Sequence, residues 1–431
     1  MEMGTGKTRT TLELIKLRLD KGKVNHILWL CPCSVKENLK RDILKHCKGD
    51  LSMFTICGIE TLSSSIRAMS VLLKLVEEKN CYLIVDESNL VKNPQAKRTQ
   101  NIIRLAEKCK YKLILNGTPI SRTEADLFAQ WYILDWRILG YKSFWSFAAN
   151  HLEYDENIPG RIVRALNVDV LMNKIGPYSY QVRKSECLDL PRKTYDTYYY
   201  CMDTKQDEIY DRVAEELLFS VDEMQPETIY RLFSGLQNVI SGLNVITTSE
   251  HLQTKPLFSK PLDNPRIRCL LDLLEGVTEK AIIFCKYTHE IESICSILGD
   301  RAVPFYGKLS RKNRNKNIDS FSKDKQFLVA NKVCAGYGLN LQFCSYVIYY
   351  SNDWDYSTRA QSEDRVHRIG QNENVHIVDI CARGTLDERI LNCLENKENL
   401  IDSFKKELKE VKDKVNLEHV KVFEPDLVEV E

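Results

Sequence analysis

The sequence lacks the features that would place it in a membrane or secreted class. No run of roughly 18 consecutive apolar residues is present, so no membrane-spanning helix is predicted. The first residues carry charges where a signal peptide would have its apolar region. These absences predict a cytoplasmic protein without a membrane partner.

Patterned cysteines and a net charge are also missing. The 15 cysteines are odd in number and include no C-x-x-C pair, which argues against a disulfide framework or a zinc ribbon. The 61 Lys and Arg residues balance 60 Asp and Glu residues. A basic DNA-binding surface can coexist with an acidic remainder, so only local charge is informative about partners.

Along the chain, short apolar runs alternate with helical patterns. Near-continuous runs of Leu, Ile and Val are typical of parallel strands covered by helices on both faces, so the fold class is α/β with two lobes. The predicted strands are 26–32, 53–58, 81–87, 112–118, 280–285, 302–307, 327–332, 346–351 and 375–381. Between the lobes the pattern is mostly helical and aromatic, and a proline-punctuated linker ends it.

These patterns predict four segments. A charged tail with many Lys and Glu residues follows the second lobe, and it could recruit a partner protein. The predicted segments are lobe 1 in 1–150, a helical insertion and linker in 151–265, lobe 2 in 266–400 and the charged helical tail in 401–431.

The chain opens on the second half of a phosphate-binding loop, Gly4-Thr5-Gly6-Lys7-Thr8. Glycines allow backbone N–H groups to turn toward phosphate oxygens, the Lys7 side chain suits the β and γ phosphates, and the Thr8 hydroxyl suits magnesium. The expected opening Gly or Ala of the loop is replaced by the first residue, and no strand precedes it. We therefore expect the chain to be incomplete at its amino end.

Two carboxylates, Asp86 and Glu87, follow the apolar run 83–85. Asp86 suits magnesium and Glu87 suits polarisation of an attacking water, which is the division of labour that nucleoside triphosphate hydrolysis requires. The alternative is a solvated strand end with a helix-capping Asp. The position of the pair downstream of Lys7 favours the catalytic interpretation.

Further polar positions lie at a strand end and near the end of the second lobe. The turn at 115–119 suits a relay of the γ-phosphate state, although such a turn is by itself ordinary. Arg365 and Arg368 are three residues apart, so on one helical face both guanidinium groups could contact one phosphate chain. His367 between them is more often a hydrogen-bonded structural residue.

Together these motifs resemble the superfamily-two helicases, and within them the SWI/SNF-like DNA translocases found in chromatin remodellers and in smaller bacterial and phage proteins. Residues 1–8 are similar to D-E-M-G-x-G-K-T, and 86–93 to D-E-x-H-x-x-K-N. The most specific element is 361–371, which matches Q-x-x-x-R-x-H-R-I-G-Q and has Trp354 shortly before it. Residues 30–42, 115–119 and 182–193 match further motifs of the family.

The resemblance implies two RecA-like parallel-sheet lobes with a helical insertion between them and ATP in the interlobe cleft. It implies a DNA-dependent ATPase that uses ATP and magnesium and moves along double-stranded DNA without separating its strands. The implied catalytic residues are Lys7, Asp86, Glu87, Arg365 and Arg368, and the magnesium ligands are Thr8 and Asp86. The implied ATP-binding residues are Gly4, Thr5, Gly6, Lys7, Thr8, Gly338 and Gln361.

Some positions depart from the family pattern at residues expected to couple the motifs. The motif-II His is Asn89, an expected Trp is Leu39, the Thr before Gly117 is Asn116, and one Gly of the fifth motif is Ala335. The expected coupling residues are Asn89, Gly117 and Thr118. Because the catalytic residues are intact, we expect an active enzyme.

The nucleic-acid contacts are less clear from the sequence. Lys and Arg suit sequence-independent phosphate contacts, although such basic runs are also often solvated helix faces. The candidate DNA-binding residues are Thr61, Lys308, Arg311, Lys312, Asn340 and Trp354.

Two other interpretations stay open. One is a strand-separating DNA or RNA helicase, against which the 361–371 signature argues. The other is a weakly catalytic ATP-gated DNA-binding scaffold, which the shortened first motif allows. No appendage typical of chromatin proteins is present, so a minimal phage or bacterial translocase is favoured.

Overall fold

The computed structural model describes residues 1–2, 4–47, 51–117, 123–155, 162–219, 221, 226–247, 252–332 and 339–396. The chain divides into two compact units, unit 1 (Met1–Asp189) and unit 2 (Leu190–Glu431). The predicted tail at 401–431 lies outside the described residues, as do Thr118, Ala335 and Gly338. In the described part of the chain, no helix is both long and apolar enough to cross a membrane.

Unit 1 contains a parallel sheet. Its strands are β1 (His26–Cys31), β2 (Phe54–Gly58), β3 (Cys81–Asp86) and β4 (Tyr111–Leu115), in the spatial order β2-β1-β3-β4. Every residue of β1 is buried, and β3 is buried as far as Val85. Successive side chains of a strand point to opposite faces, so Leu83 and Ile84 enter different core clusters on the two faces of the sheet. Burial on both faces explains the continuous apolar runs.

Helices and one antiparallel hairpin complete the described part of unit 1. The hairpin strands are β5 (Leu152–Tyr154) and β6 (Ile162–Ala165). The helices are α1 (Lys7–Asp20), α2 (Lys36–His46), α3 (Thr61–Ser64), α4 (Ile66–Glu78), α5 (Lys97–Lys108), α6 (Ala125–Leu139), α7 (Phe144–His151), α8 (Val168–Ile175) and α9 (Lys184–Cys187). A short 3₁₀ turn, Ser88–Val91, follows the end of β3.

Unit 2 contains a larger parallel sheet and a separate hairpin. The sheet strands are β7 (Lys193–Tyr200), β10 (Ala281–Cys285), β11 (Ala302–Phe305), β12 (Phe327–Asn331), β13 (Tyr346–Tyr349) and β14 (Val375–Ala382), in the order β11-β12-β10-β13-β14-β7. The hairpin strands are β8 (Leu243–Thr247) and β9 (Leu252–Pro256). The helices are α10 (Thr204–Leu218), α11 (Pro226–Ile240), α12 (Pro265–Glu275), α13 (Thr288–Leu298), α14 (Arg311–Lys323), α15 (Tyr356–Glu363) and α16 (Leu386–Asn396).

The α/β fold class with two parallel-sheet lobes is confirmed, because each predicted strand is present within a few residues of its predicted bounds. Each unit is built around one parallel sheet. The short hairpin strands β5, β6, β8 and β9 were missed, and so was one strand of the second sheet. Strand β7 lies at the edge of its sheet and most of its side chains are exposed, so it lacks the continuous apolar run that marks the others.

The predicted segment boundaries stay a prediction. The two compact units meet at residues 189 and 190. Strand β7 comes from the stretch predicted as helical insertion, and it pairs in parallel with β14 of the second sheet.

A buried ion pair in unit 2 joins helix α12 to helix α16. The side chains of Arg266 and Asp387 are only 2% and 6% exposed, and their nearest N and O atoms are 3.0 Å apart. Arg266 also donates to the carbonyl oxygen of Ile380 at 3.1 Å. The pair therefore joins the start of α12 to β14 and to α16.

We expect Arg266→Ala to lower the free energy of unfolding by about 3–5 kcal/mol, because it leaves the buried Asp387 carboxylate without its cation. The double replacement Arg266→Met with Asp387→Leu should cost much less, since both charges are removed together. Urea unfolding of the three proteins measures both effects. Equal losses in the single and double variants would show that charge pairing is not what stabilises this contact.

Candidate nucleotide site

The predicted phosphate loop is a left-handed turn that leads into a helix. Gly4 and Gly6 have φ of 80° and 87°, and α1 begins at Lys7 immediately afterwards. A residue with a side chain would be strained at either glycine, because positive φ places Cβ close to the backbone. Gly6 itself supplies no side-chain cap to the first turn of α1. The loop thus has the backbone form that favours an anion at a helix N-terminus.

The start of this loop is tied to a distant segment of the same unit. The Glu2 backbone N–H donates to the carbonyl oxygen of Val182 at 2.9 Å, and the Lys184 backbone N–H donates to Glu2 Oε2 at 2.7 Å. Thr5 Oγ1 donates to the Glu2 carbonyl oxygen at 2.8 Å. Glu2 was not predicted as a site residue, and its acidic position in the D-E-M-G pattern was the only signal for it.

The two carboxylates stand at the end of β3, as predicted. Burial raises the pKa of Asp86 to about 6, the Glu87 charge adds to this, and the Lys7 charge acts in the opposite direction. The Glu87 backbone N–H donates to Asp86 Oδ1 at 3.0 Å. Lys7 is therefore close enough to Asp86 for their charges to interact. A partly buried carboxylate beside a second one fits a hard divalent cation such as magnesium.

The backbone of Glu87 is strained. Its φ and ψ of 52° and 56° are left-handed, a conformation that costs a residue with a side chain on the order of 1–3 kcal/mol. Such strain persists where the surroundings fix the backbone, and it is frequent at functional sites. Asn89 lies in the 3₁₀ turn that follows, and Gly117 follows β4.

The prediction that Arg365 and Arg368 share a helical face is wrong. Helix α15 ends at Glu363, and the Arg365 backbone N–H bonds three residues back, to Ser362, as in a tight turn. Arg368 Nη1 donates to Asn340 Oδ1 at 2.6 Å. The two arginines therefore lie in a turn that contacts the segment at 339–341.

Buried ion pairs hold the helix before this turn. Arg359 makes two hydrogen bonds to the Asp379 carboxylate, at 2.6 and 2.7 Å. Glu363 accepts from Lys193 Nζ at 2.8 Å and from the Tyr195 hydroxyl at 2.9 Å. These residues were not predicted. The four-residue spacing of Arg359 and Glu363 was a signal for a helix-face pair, but nothing in the sequence indicated their partners on β14 and β7.

Other predicted residues have defined places. Gln361 lies on α15, and His367 Nε2 is 2.8 Å from the Pro191 carbonyl oxygen, which fits a structural histidine. Thr61 opens α3. Lys308, Arg311 and Lys312 are exposed around the start of α14. Trp354 packs against the unit 2 core, with Lys286 Nζ 3.7 Å from its ring centroid.

Comparison with known families accounts for most of the chain. Residues 52–255 match the SNF2-related domain, and residues 265–370 match the helicase conserved C-terminal domain. The chain belongs to the SNF2-related, SWI/SNF-like family of superfamily-two helicases. Its motif departures, such as Asn89 and Asn116, therefore occur within an SNF2-related protein.

Similar SNF2-related proteins come from several organisms. An uncharacterized ATP-dependent helicase of Mycoplasma pneumoniae is 23% identical over 93% of this chain and 39% of its own length. A putative ATP-dependent helicase/translocase of Bacillus subtilis is 25% identical over 74% of this chain and 35% of its own length. The chain thus spans well under half the length of these relatives.

A solved structure with a related sequence is the SWI2/SNF2 ATPase core of Sulfolobus solfataricus in complex with double-stranded DNA. It is 24% identical and covers 97% of this chain and 92% of its own. The TM-score between the two structures is 0.40.

The raised pKa of Asp86 predicts an unusual pH dependence of stability. Between its ordinary value of 3.8 and about 6, the folded state binds more protons than the unfolded state, so stability should fall as pH rises through this window. Asp86→Asn should remove this dependence and raise the free energy of unfolding at pH 8 by on the order of 1–3 kcal/mol.

Urea unfolding at pH 5 and pH 8 without nucleotide measures the effect, and Asp20→Asn, at the exposed end of α1, is the control. If Asp86→Asn has a lower free energy of unfolding at pH 8 than the wild type, the raised pKa of Asp86 is wrong.

Proposed function

We propose that this chain is a DNA-stimulated ATPase that uses ATP hydrolysis to move along double-stranded DNA. The observation that carries the proposal is the meeting in unit 1 of a glycine loop, Lys7 and the Asp86–Glu87 pair, with the charge of Lys7 acting on Asp86. Membership of the SNF2-related family supports it. So does the name helicase/translocase given to the Bacillus subtilis relative.

The residues of unit 1 would bind and activate the nucleotide. The N–H groups of the Gly4–Thr8 loop and the Lys7 ammonium neutralise phosphate charge. Thr8 and Asp86 would hold magnesium, which supplies charge stabilisation at the phosphate oxygens. Glu87 orients the attacking water and accepts its proton.

The arginine turn of unit 2 would stabilise the transition state and sense DNA. We assign Arg365 and Arg368 to the charge that develops on the γ phosphate, an effect worth roughly 10³- to 10⁵-fold in rate where arginine fingers have been removed. The bond from Arg368 to Asn340 connects this turn to a predicted DNA-contact residue. DNA binding at Asn340 would therefore bias the position of Arg368.

Basic residues around the start of α14 suit the DNA backbone. Lys308, Arg311 and Lys312 are exposed, and the first turn of α14 contains no acidic residue. Phosphate contacts of this kind position a protein on DNA without selecting a sequence. This suits a motor that moves along DNA.

The first functional prediction concerns the water-activating carboxylate. Glu87→Gln should retain ATP and DNA binding while its kcat for ATP hydrolysis falls by about 10²- to 10⁴-fold, because a neutral amide cannot accept the proton. Steady-state hydrolysis with and without linear duplex DNA measures this. Glu13→Gln, which removes an exposed carboxylate of α1, is the control and should hydrolyse ATP normally.

Normal turnover by Glu87→Gln would show that Glu87 is not the base. Absence of turnover by the wild-type protein with duplex DNA, single-stranded DNA and RNA would favour the ATP-gated scaffold.

The second functional prediction concerns the mode of movement. We expect ATP-dependent displacement of a triplex-forming strand from duplex DNA and little unwinding of a forked duplex, because the candidate cations Lys308, Arg311 and Lys312 suit contacts to the phosphate backbone. Trp145 is the most exposed tryptophan of the described residues, at 71%. If movement along the duplex needs no side chain to separate the strands, Trp145→Ala should leave triplex displacement unchanged. Fork unwinding without triplex displacement would favour a strand-separating helicase.

A further inference from the structure

We propose that Gln130 is a positioning residue for ATP hydrolysis, which holds the turn after the carboxylate pair against the turn after β4. The inference rests on the proposed function. Gln130 lies on α6 and is fully buried, with 0% of its surface exposed. No sequence motif drew attention to it.

The Gln130 amide joins two turns that are far apart in sequence. Its Oε1 accepts from Ser88 Oγ at 2.6 Å and from Asn116 Nδ2 at 3.2 Å. Asn116 Nδ2 also lies 3.3 Å from Ser88 Oγ. Ser88 directly follows Glu87, and Asn116 directly precedes Gly117. One buried acceptor thus connects the proposed water-activating residue to the turn predicted to sense the γ phosphate.

Helix α6 holds the same turn at a second point. Asp126 lies four residues before Gln130, so both residues occupy one face of α6. The Asp126 carboxylate pairs with Lys92 Nζ at 3.4 Å, and Gln130 Nε2 donates to the Asp126 carbonyl oxygen at 2.8 Å. The 3₁₀ turn Ser88–Val91 is therefore fastened at Ser88 and just beyond its end, at Lys92.

This fastening explains how Glu87 stays in its strained backbone. A left-handed residue with a side chain needs neighbours that fix it. The Glu87 carbonyl oxygen accepts a turn bond from the Leu90 N–H at 3.0 Å. The Ser88 bond to Gln130 fixes the next residue from outside the turn. Gln130 acts through Ser88 and Asn116, so its effect on hydrolysis should come from the position of Glu87.

The test compares Gln130→Leu with a matched control. Gln206 is also a fully buried helical glutamine, on α10 of unit 2, where its Nε2 donates to the Val239 carbonyl oxygen at 2.7 Å. Gln206→Leu therefore measures the general cost of losing a buried amide. We expect Gln130→Leu to lower kcat by about 10- to 100-fold, as small misplacements of catalytic groups do. The KM for ATP should change less than about threefold, because the phosphate loop is untouched.

A second measurement does not depend on activity. Hydrogen–deuterium exchange of the segment 86–93 should be faster in Gln130→Leu than in the wild type or in Gln206→Leu, because the turn loses an anchor. The variant Ser88→Ala removes the other end of the bond with little change in volume. The double variant Ser88→Ala with Gln130→Leu should lose no more kcat than Gln130→Leu alone, since both substitutions remove the same contact. Ser88→Ala also provides the kinetic test if Gln130→Leu does not fold.

The outcomes separate this inference from the proposed function. A wild-type protein without ATPase activity would refute the proposed function, while the exchange comparison would still decide whether Gln130 holds the turn. An active wild type with a kcat for Gln130→Leu equal to that of Gln206→Leu would overturn the inference. So would a change confined to KM, additive losses in the double variant or unchanged exchange.

Discussion

The carboxylate pair at the end of β3 is the constraint on which the arrangement of unit 1 depends. A carboxylate withdrawn from water is unfavourable unless a cation or hydrogen-bond donors stabilise it, and burial raises the pKa of Asp86. The Lys7 charge and the Glu87 N–H act against this effect. Lys7 is positioned by α1, which follows the left-handed Gly6. The glycine loop, the strand end and the strained Glu87 therefore form one electrostatic unit.

Unit 2 holds buried charges in a different way. Arg359 and Asp379 form a two-bond pair, and Lys193 and Tyr195 complete the hydrogen bonding of Glu363. A buried pair of this kind contributes modestly to stability, because desolvation offsets the attraction. Its effect is to fix α15 against β14 and β7, and so to fix the start of the turn that carries the arginines.

The predictability of the fold followed from burial. Strands covered on both faces need continuous apolar runs, as in β1 and β10, and these runs were recognised with nearly correct bounds. Strand β7 was not recognised from the sequence, because a strand exposed at the sheet edge does not need a continuous apolar run. The pattern around Arg365 was helical, but the backbone closes into a turn there, and local spacing could not distinguish the two.

The sequence by itself determined the chemical groups and their order: the glycine loop with Lys7, the carboxylates at a strand end, and the later pair of arginines. Glycine conformation and strand burial act locally, so these features are visible in short stretches. Only the tertiary structure decided which polar residues act together. Gln130 meets Ser88 and Asn116, and Glu2 meets Lys184, through packing of segments distant in sequence. The partners of a single buried hydrogen bond of this kind follow no periodicity or fixed spacing in the sequence, so no sequence pattern predicts the bond.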